Sequence, residues 1–124
     1  MNLEGIKVVA IDDTPSIRTF LRLSLEDEGA EFYEAADATE GLELCQSVEP
    51  DVVVLDLGLP KVDGLDILPD IKKSQPGKRP AVVVLTVRKS RETVVEAMQK
   101  GADAFLNKPF MMDDLLDVIT EHTH

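Results

Sequence analysis

Val52-Val53-Val54-Leu55 is a run of four β-prone apolar residues, and Asp56 follows it at once. A strand that is apolar at every position is buried on both faces, as in a parallel sheet covered by helices. The chain repeats this arrangement. Ile6 to Ile11 runs into Asp12 and Asp13, Ala81 to Leu85 into Thr86, and Ala104 to Leu106 into Asn107-Lys108-Pro109. Strands of a parallel sheet end in step, so residues just past several strand ends gather along one edge. That edge would carry three carboxylates, a hydroxyl and an ammonium.

Helical patterns fill the intervals. Thr14-Pro15 opens a helix, since proline is tolerated in a first turn. Ile17, Phe20, Leu21 and Leu25 continue it at the 3.6 period, and Gly29 stops it. Glu31 to Ala36 reads as a weaker strand, and Ala38 to Val48 as a helix closed by Pro50. Leu65 to Ile71 is helical with Asp63 as N-cap. Pro69 lies inside that helix, lacks an N–H and opposes the Leu65 carbonyl, which predicts a kink or a late start. Pro76-Gly77 marks a turn, Ser90 to Gln99 a helix ended by Gly101, and Asp113 or Asp114 caps a last helix through about Glu121. Such alternation predicts an α/β fold: (βα)5, a three-layer, doubly wound parallel sheet of flavodoxin-like topology. Strand order 2-1-3-4-5 puts a switch point between strands 1 and 3, beside Asp12, Asp13 and Asp56.

The 124 residues suit one domain, 1–124, without repeats or linkers. With 44% apolar and 30% charged residues, the balance is that of a globular protein in water. A net charge of −11 disfavours direct binding to nucleic acid or anionic lipid and favours metal ions and basic partners. Cys45 is the only cysteine, which rules out an intrachain disulfide and a cysteine zinc site. Leu42 and Leu44 beside it indicate a helical core position. No basic leader precedes an apolar run, and no stretch approaches the ~20 apolar residues of a membrane span. The expected location is the cytoplasm. His122 and His124 read as exposed tail.

Three clustered carboxylates repel one another, and a hard divalent cation relieves the repulsion. Mg²⁺ prefers oxygen ligands, and Mn²⁺ or Ca²⁺ can substitute at a flexible carboxylate site. Lys108 would balance charge there, and the X-Pro bond after it is a candidate for the cis form. Thr86 offers a hydroxyl donor. There is no glycine-rich phosphate loop, no Ser-His-Asp set and no metal-spaced histidine pair.

At this point the chain resembles the receiver domain of two-component response regulators, including the chemotaxis regulators. The resemblance rests on Val9-Ala10-Ile11-Asp12-Asp13, on Asp56 followed by Leu59-Pro60-Lys61-Val62-Asp63-Gly64, on Leu85-Thr86, on Gly101-Ala102-Asp103-Ala104-Phe105, and on Lys108-Pro109-Phe110. It implies that Asp56 accepts a phosphoryl group from a histidine kinase or histidine phosphotransfer protein, with Lys108 and Thr86 assisting. Asp13, Asp56 and the Gly58 carbonyl would hold Mg²⁺, and Asp12 would act through water. Thr86 and Phe105 would form a switch that repacks the surface of helix 4, strand 5 and helix 5. The domain would promote its own phosphorylation and dephosphorylation without being an enzyme for a separate metabolite. Its output would be a partner protein or an attached output domain.

Thr14, Pro15 and Arg18 at the start of helix 1 are candidates for docking the donor. Arg88, Lys89 and Arg91 form a basic patch for a downstream partner. Four features depart from the common pattern: Phe105 lacks the hydroxyl of the more usual tyrosine, Gly58 has no side chain, Val87 is bulky and Arg88 is long and cationic. Helix 5 carries Asp113, Asp114, Asp117 and Glu121 but no lysine or arginine, which favours a monomer or a weak phosphorylation-dependent dimer. Two competing readings fit less well. A metal-dependent phosphatase needs an acid where Gly58 stands, and a flavin carrier needs a hydroxyl-rich or glycine-rich loop where Asp12-Asp13-Thr14-Pro15 stands.

Overall fold

The computed structural model describes residues 2–123; His124 lies outside them. Five strands and five helices alternate. They are β1 Lys7–Ile11, α1 Pro15–Asp27, β2 Glu31–Ala35, α2 Ala38–Val48, β3 Val52–Leu55, α3 Gly64–Lys72, β4 Ala81–Thr86, α4 Arg91–Gln99, β5 Ala104–Asn107 and α5 Met112–Thr123. All strand pairs are parallel and the order is β2-β1-β3-β4-β5.

Alternate strand residues enter opposite layers, as the pleat requires. Val9, Ile11, Val53, Leu55, Val82 and Val84 face α2, α3 and α4, where they meet Cys45, Leu68, Ile71 and Ala97. Val8, Ala10, Val52, Val54, Val83 and Leu85 face α1 and α5, where they meet Leu21, Leu25, Leu115 and Ile119. Each fully buried aliphatic side chain contributes roughly 1.5–3 kcal/mol of transfer free energy, so both layers hold the central strands firmly. Cys45 is fully buried, and desolvation pushes its thiol up to about 12.

Register then fixes the edge. Ile11 pairs with Leu55, and the Asp56 N–H continues the ladder to the Ile11 carbonyl at 2.9 Å. The Asp12 N–H does the same to the Ala35 carbonyl at 3.0 Å. Asp12 and Asp56 therefore sit on neighbouring strands at the same level.

Several expectations are corrected. β1 starts at Lys7 rather than Ile6, and β5 runs on to Asn107. α3 begins at Gly64 and passes through Pro69, so there is no late start. Its buried Leu65, Ile67, Leu68 and Ile71 outweigh the ~3 kcal/mol an internal proline costs. α5 opens at Met112, which puts Asp113 and Asp114 inside its first turn instead of at its cap. There they complement the helix dipole. His122 is exposed as expected but belongs to the last turn of α5, with Nδ1 2.9 Å from the Val118 carbonyl. Asp63 caps α3 as expected, accepting from the Leu65 N–H at 2.9 Å.

Candidate functional site

The site lies at the carboxyl ends of β1, β3, β4 and β5. Asp12 and Asp56 are buried and Asp13 is exposed. One carboxylate oxygen from each of the three lies within 4.8 Å of the others. Lys108 reaches in from beyond β5. Its Nζ donates to Asp12 Oδ2 at 2.7 Å and to Asp56 Oδ2 at 3.3 Å. Burial by itself would lower the pKa of this ammonium, but the hydrogen bond and charge of Asp12, then those of Asp56, outweigh it and raise it above the ordinary lysine value. The Lys108–Pro109 bond is cis.

The other carboxylate oxygens are held by backbone. Asp12 Oδ1 accepts from the Thr14 N–H at 2.9 Å, and Asp56 Oδ1 from the Gly58 N–H at 3.2 Å. Each loop leaving a strand thus folds back on the carboxylate it follows. A cluster of carboxylate oxygens with one exposed member is the donor chemistry of a hard divalent ion, so these residues fit such an ion.

Thr86 is buried at the end of β4, and its Oγ1 accepts from the Arg88 N–H at 3.4 Å. Phe105, on neighbouring β5, is half-buried against the layer of α2, α3 and α4. Thr14 and Pro15 are exposed at the start of α1. Arg18 is not: it donates to the Asp12 carbonyl at 2.7 Å and to Glu34 at 2.8 Å, and its side chain is 16% exposed. These contacts hold the half-buried guanidinium between the Asp12 backbone and β2. Arg22 shares Glu34. Ile17 is half-buried and packs into the layer of α1 and α5. Lys89 and Arg91 are exposed, whereas Arg88 pairs with Asp63 at 3.0 Å.

Three contributors were not evident in the sequence, and a fourth residue, Asp63, gains a partner beyond the cap expected of it. Gly64 lies so close to β3 that a Cβ there would stand 2.6 Å from both the Asp56 carbonyl oxygen and the Leu57 Cα. Asn107 donates to the Thr86 carbonyl at 3.1 Å and the Arg88 carbonyl at 2.7 Å, tying the β4–α4 connection to β5. Glu34 anchors Arg18. Asp63 serves both as cap and as partner of Arg88. The Asp63-Gly64 pair was legible as a signal, since a cap followed by glycine marks a close approach; Asn107 and Glu34 gave none.

The response regulator receiver domain model matches residues 8–120. The chain belongs to that family. The KDP operon transcriptional regulatory protein KdpE of Escherichia coli (strain K12) is 35% identical over 108 residues, covering 87% of this chain and 47% of that protein. The chain spans about half the length of the curated relatives it matches. Among solved structures, a CheY-like receiver domain protein from Methanospirillum hungatei JF-1 has a TM-score of 0.87 at 32% identity, covering 94% of this chain and 91% of that one. A response regulator from Burkholderia pseudomallei, with a phosphorylated aspartic acid, a calcium ion and citrate, has a TM-score of 0.85 at 28% identity, covering 92% and 66%. The receiver fold, with order 2-1-3-4-5, is as the sequence predicts. No helix among the described residues is long and apolar enough to cross a membrane.

Proposed function

We propose that Asp56 is the phosphoacceptor of a two-component signalling switch. The observation that carries this reading is the buried Asp12–Asp56 pair bridged by Lys108, with Asp13 beside it. A carboxylate oxygen of Asp56 attacks the phosphorus of a phosphohistidine on a kinase or phosphotransfer protein. The N–P bond breaks, its electron pair returns to the imidazole, and an acyl phosphate forms on Asp56. Asp13, Asp56 and the Gly58 carbonyl would hold Mg²⁺, with Asp12 acting through water; Mn²⁺ or Ca²⁺ would fit the same oxygens. The ion would supply charge neutralisation around the transferred group. The Burkholderia relative, with its phosphorylated aspartate and calcium, supports both assignments.

Lys108 holds the Asp56 carboxylate before transfer and neutralises a phosphoryl oxygen after it. Thr86 turns its hydroxyl toward the phosphoryl group, and Phe105 moves into the space this opens. That repacks α4, β5 and α5, a two-state equilibrium biased by local contacts. Exposed Val95 and Met98 on α4, with Lys89 and Arg91 ahead of them, suit an output partner carrying apolar and acidic residues. Thr14 and Pro15 remain candidates for donor docking, while Arg18 acts by bracing Asp12. One domain over 1–124, in the cytoplasm, as a monomer or weak phosphorylation-dependent dimer without direct nucleic-acid binding, completes the reading.

The test is incubation with acetyl phosphate, with Mg²⁺ or with chelator, read by intact mass. The wild type should gain one phosphoryl group only with Mg²⁺, and Asp56→Asn should gain none. Equal gain in Asp56→Asn would overturn the assignment.

A further inference from the structure

Arg88 is tied in place by three separate contacts. Its backbone N–H donates to Thr86 Oγ1 at 3.4 Å. Its carbonyl accepts from Asn107 Nδ2 at 2.7 Å. Its guanidinium pairs with Asp63 Oδ2 at 3.0 Å, and the other oxygen of Asp63 caps α3. The connection after β4 is therefore joined across the mouth of the site to the connection after β3. The hydroxyl of Thr86 is engaged by the backbone of the very residue this ion pair restrains.

We infer that the Asp63–Arg88 ion pair is a latch that holds Thr86 in its resting position, making both residues positioning residues for the phosphorylation switch. This rests on the reading of Asp56 as acceptor. In this reading Thr86 Oγ1 moves toward the group on Asp56 and draws on the Arg88 N–H contact, and the Asp63 contact opposes that movement. The pair is half-exposed, with both side chains at 36%, so it biases the equilibrium without locking it. An arginine two residues after Thr86 spans to an acid that the N-terminus of α3 already fixes.

The experiment is a double-mutant cycle on the full chain with Asp63→Asn, Arg88→Gln and both together. The probe is beryllofluoride with Mg²⁺, and its binding midpoint is read from the amide NMR signals of Thr86 and Arg88. Asparagine keeps the cap of α3, since it is among the preferred N-cap residues, so the charge is removed without unravelling the helix. Each single variant should bind the probe about two- to fivefold more tightly than wild type, the scale of a half-exposed ion pair. The double variant should gain no more than either single one. Arg88→Lys should restore most of the wild-type midpoint. In high salt the wild type should move toward the variants.

Unchanged midpoints in both single variants would overturn the latch and leave the acceptor reading standing. Weaker binding in Arg88→Gln would also overturn it, because Arg88 would then be a ligand of the phosphoryl group and not a restraint. Failure of the wild type itself to bind beryllofluoride would remove the acceptor reading, and the latch with it.

Discussion

Lys108 is the one cation in contact with the Asp12 and Asp56 carboxylates among the described residues, and it touches both. Its side chain is 12% exposed, so water replaces it poorly. Removing one member of such a group leaves uncompensated buried charge. Lys108→Met should lower unfolding stability by about 1–3 kcal/mol in urea titration without metal, and Mg²⁺ should recover more stability in the variant than in wild type. Cys45 tests the packing at the same scale. Its thiol, pushed up to about 12 by burial, stays protonated near neutral pH. Alkylation of the folded protein should be negligible by mass over an hour and complete in denaturant; rapid labelling of the folded form would contradict its place in the core. Both residues were legible in the sequence, Lys108 by its place after a strand and Cys45 by its leucine neighbours. The contacts of Arg18 were not: its place at the start of helix 1 suggested donor docking, and only the fold brings it to Glu34 on β2 and the Asp12 carbonyl. No local pattern could pair α1 with that strand position.

The elements owe their site-forming arrangement to close backbone approach between β3 and the start of α3. Gly64 donates to the Leu57 carbonyl at 2.8 Å, with no room for a Cβ. Gly64→Ala should cost about 1–3 kcal/mol by equilibrium unfolding, because the obstructing atoms are backbone and cannot rotate away. The same shift should slow acetyl phosphate labelling, since the connection carrying Gly58 is displaced; wild-type rate and stability together would refute this account of the loop. The strands other than β2 were legible to within a residue or so at their ends, because apolar runs punctuated by Asp, Thr and Asn mark buried parallel strands, whereas β2 is an edge strand that mixes Glu with apolar residues. Helix starts were less so. Asp63 is a true cap, but Asp113 and Asp114 are the same residue type and lie inside α5 instead, so a carboxylate near a helix start does not say which position it takes.

At the scale of the molecule, the two ends of the sheet do different work. The carboxyl edge gathers the carboxylate cluster with Lys108, and the opposite edge holds ion pairs remote from it. Lys72 is buried there, donating to Asp103 at 2.8 Å and to the Pro80 carbonyl at 2.8 Å. The fold brings Asp103, 31 residues on, to Lys72, a pairing that no local sequence pattern announces. Asp51 at that edge accepts from the Lys7 N–H at 2.9 Å and from Lys78 Nζ at 2.7 Å. Burial opposes its ionisation, but these donors outweigh it and hold its pKa below the ordinary carboxylate value of 3.8. A depressed folded-state pKa stabilises the fold above the unfolded value, and that contribution disappears as pH falls through the folded one. The stability gap between wild type and Asp51→Asn should therefore be full at about pH 7 and shrink below about pH 4. A gap independent of pH would show that the charge of Asp51 contributes nothing.

In the proposed switch, Asp56 alone of three adjacent carboxylates takes the phosphoryl group. Borohydride reduces an acyl phosphate to an alcohol, which converts the modified aspartate to homoserine and leaves free carboxylates untouched. Peptide mass spectrometry after acetyl phosphate and Mg²⁺ treatment, with borohydride reduction, would assign the position directly. Homoserine at position 56, dependent on both phosphodonor and Mg²⁺, is the predicted result. Homoserine at position 12 or 13 with position 56 unchanged would contradict the account.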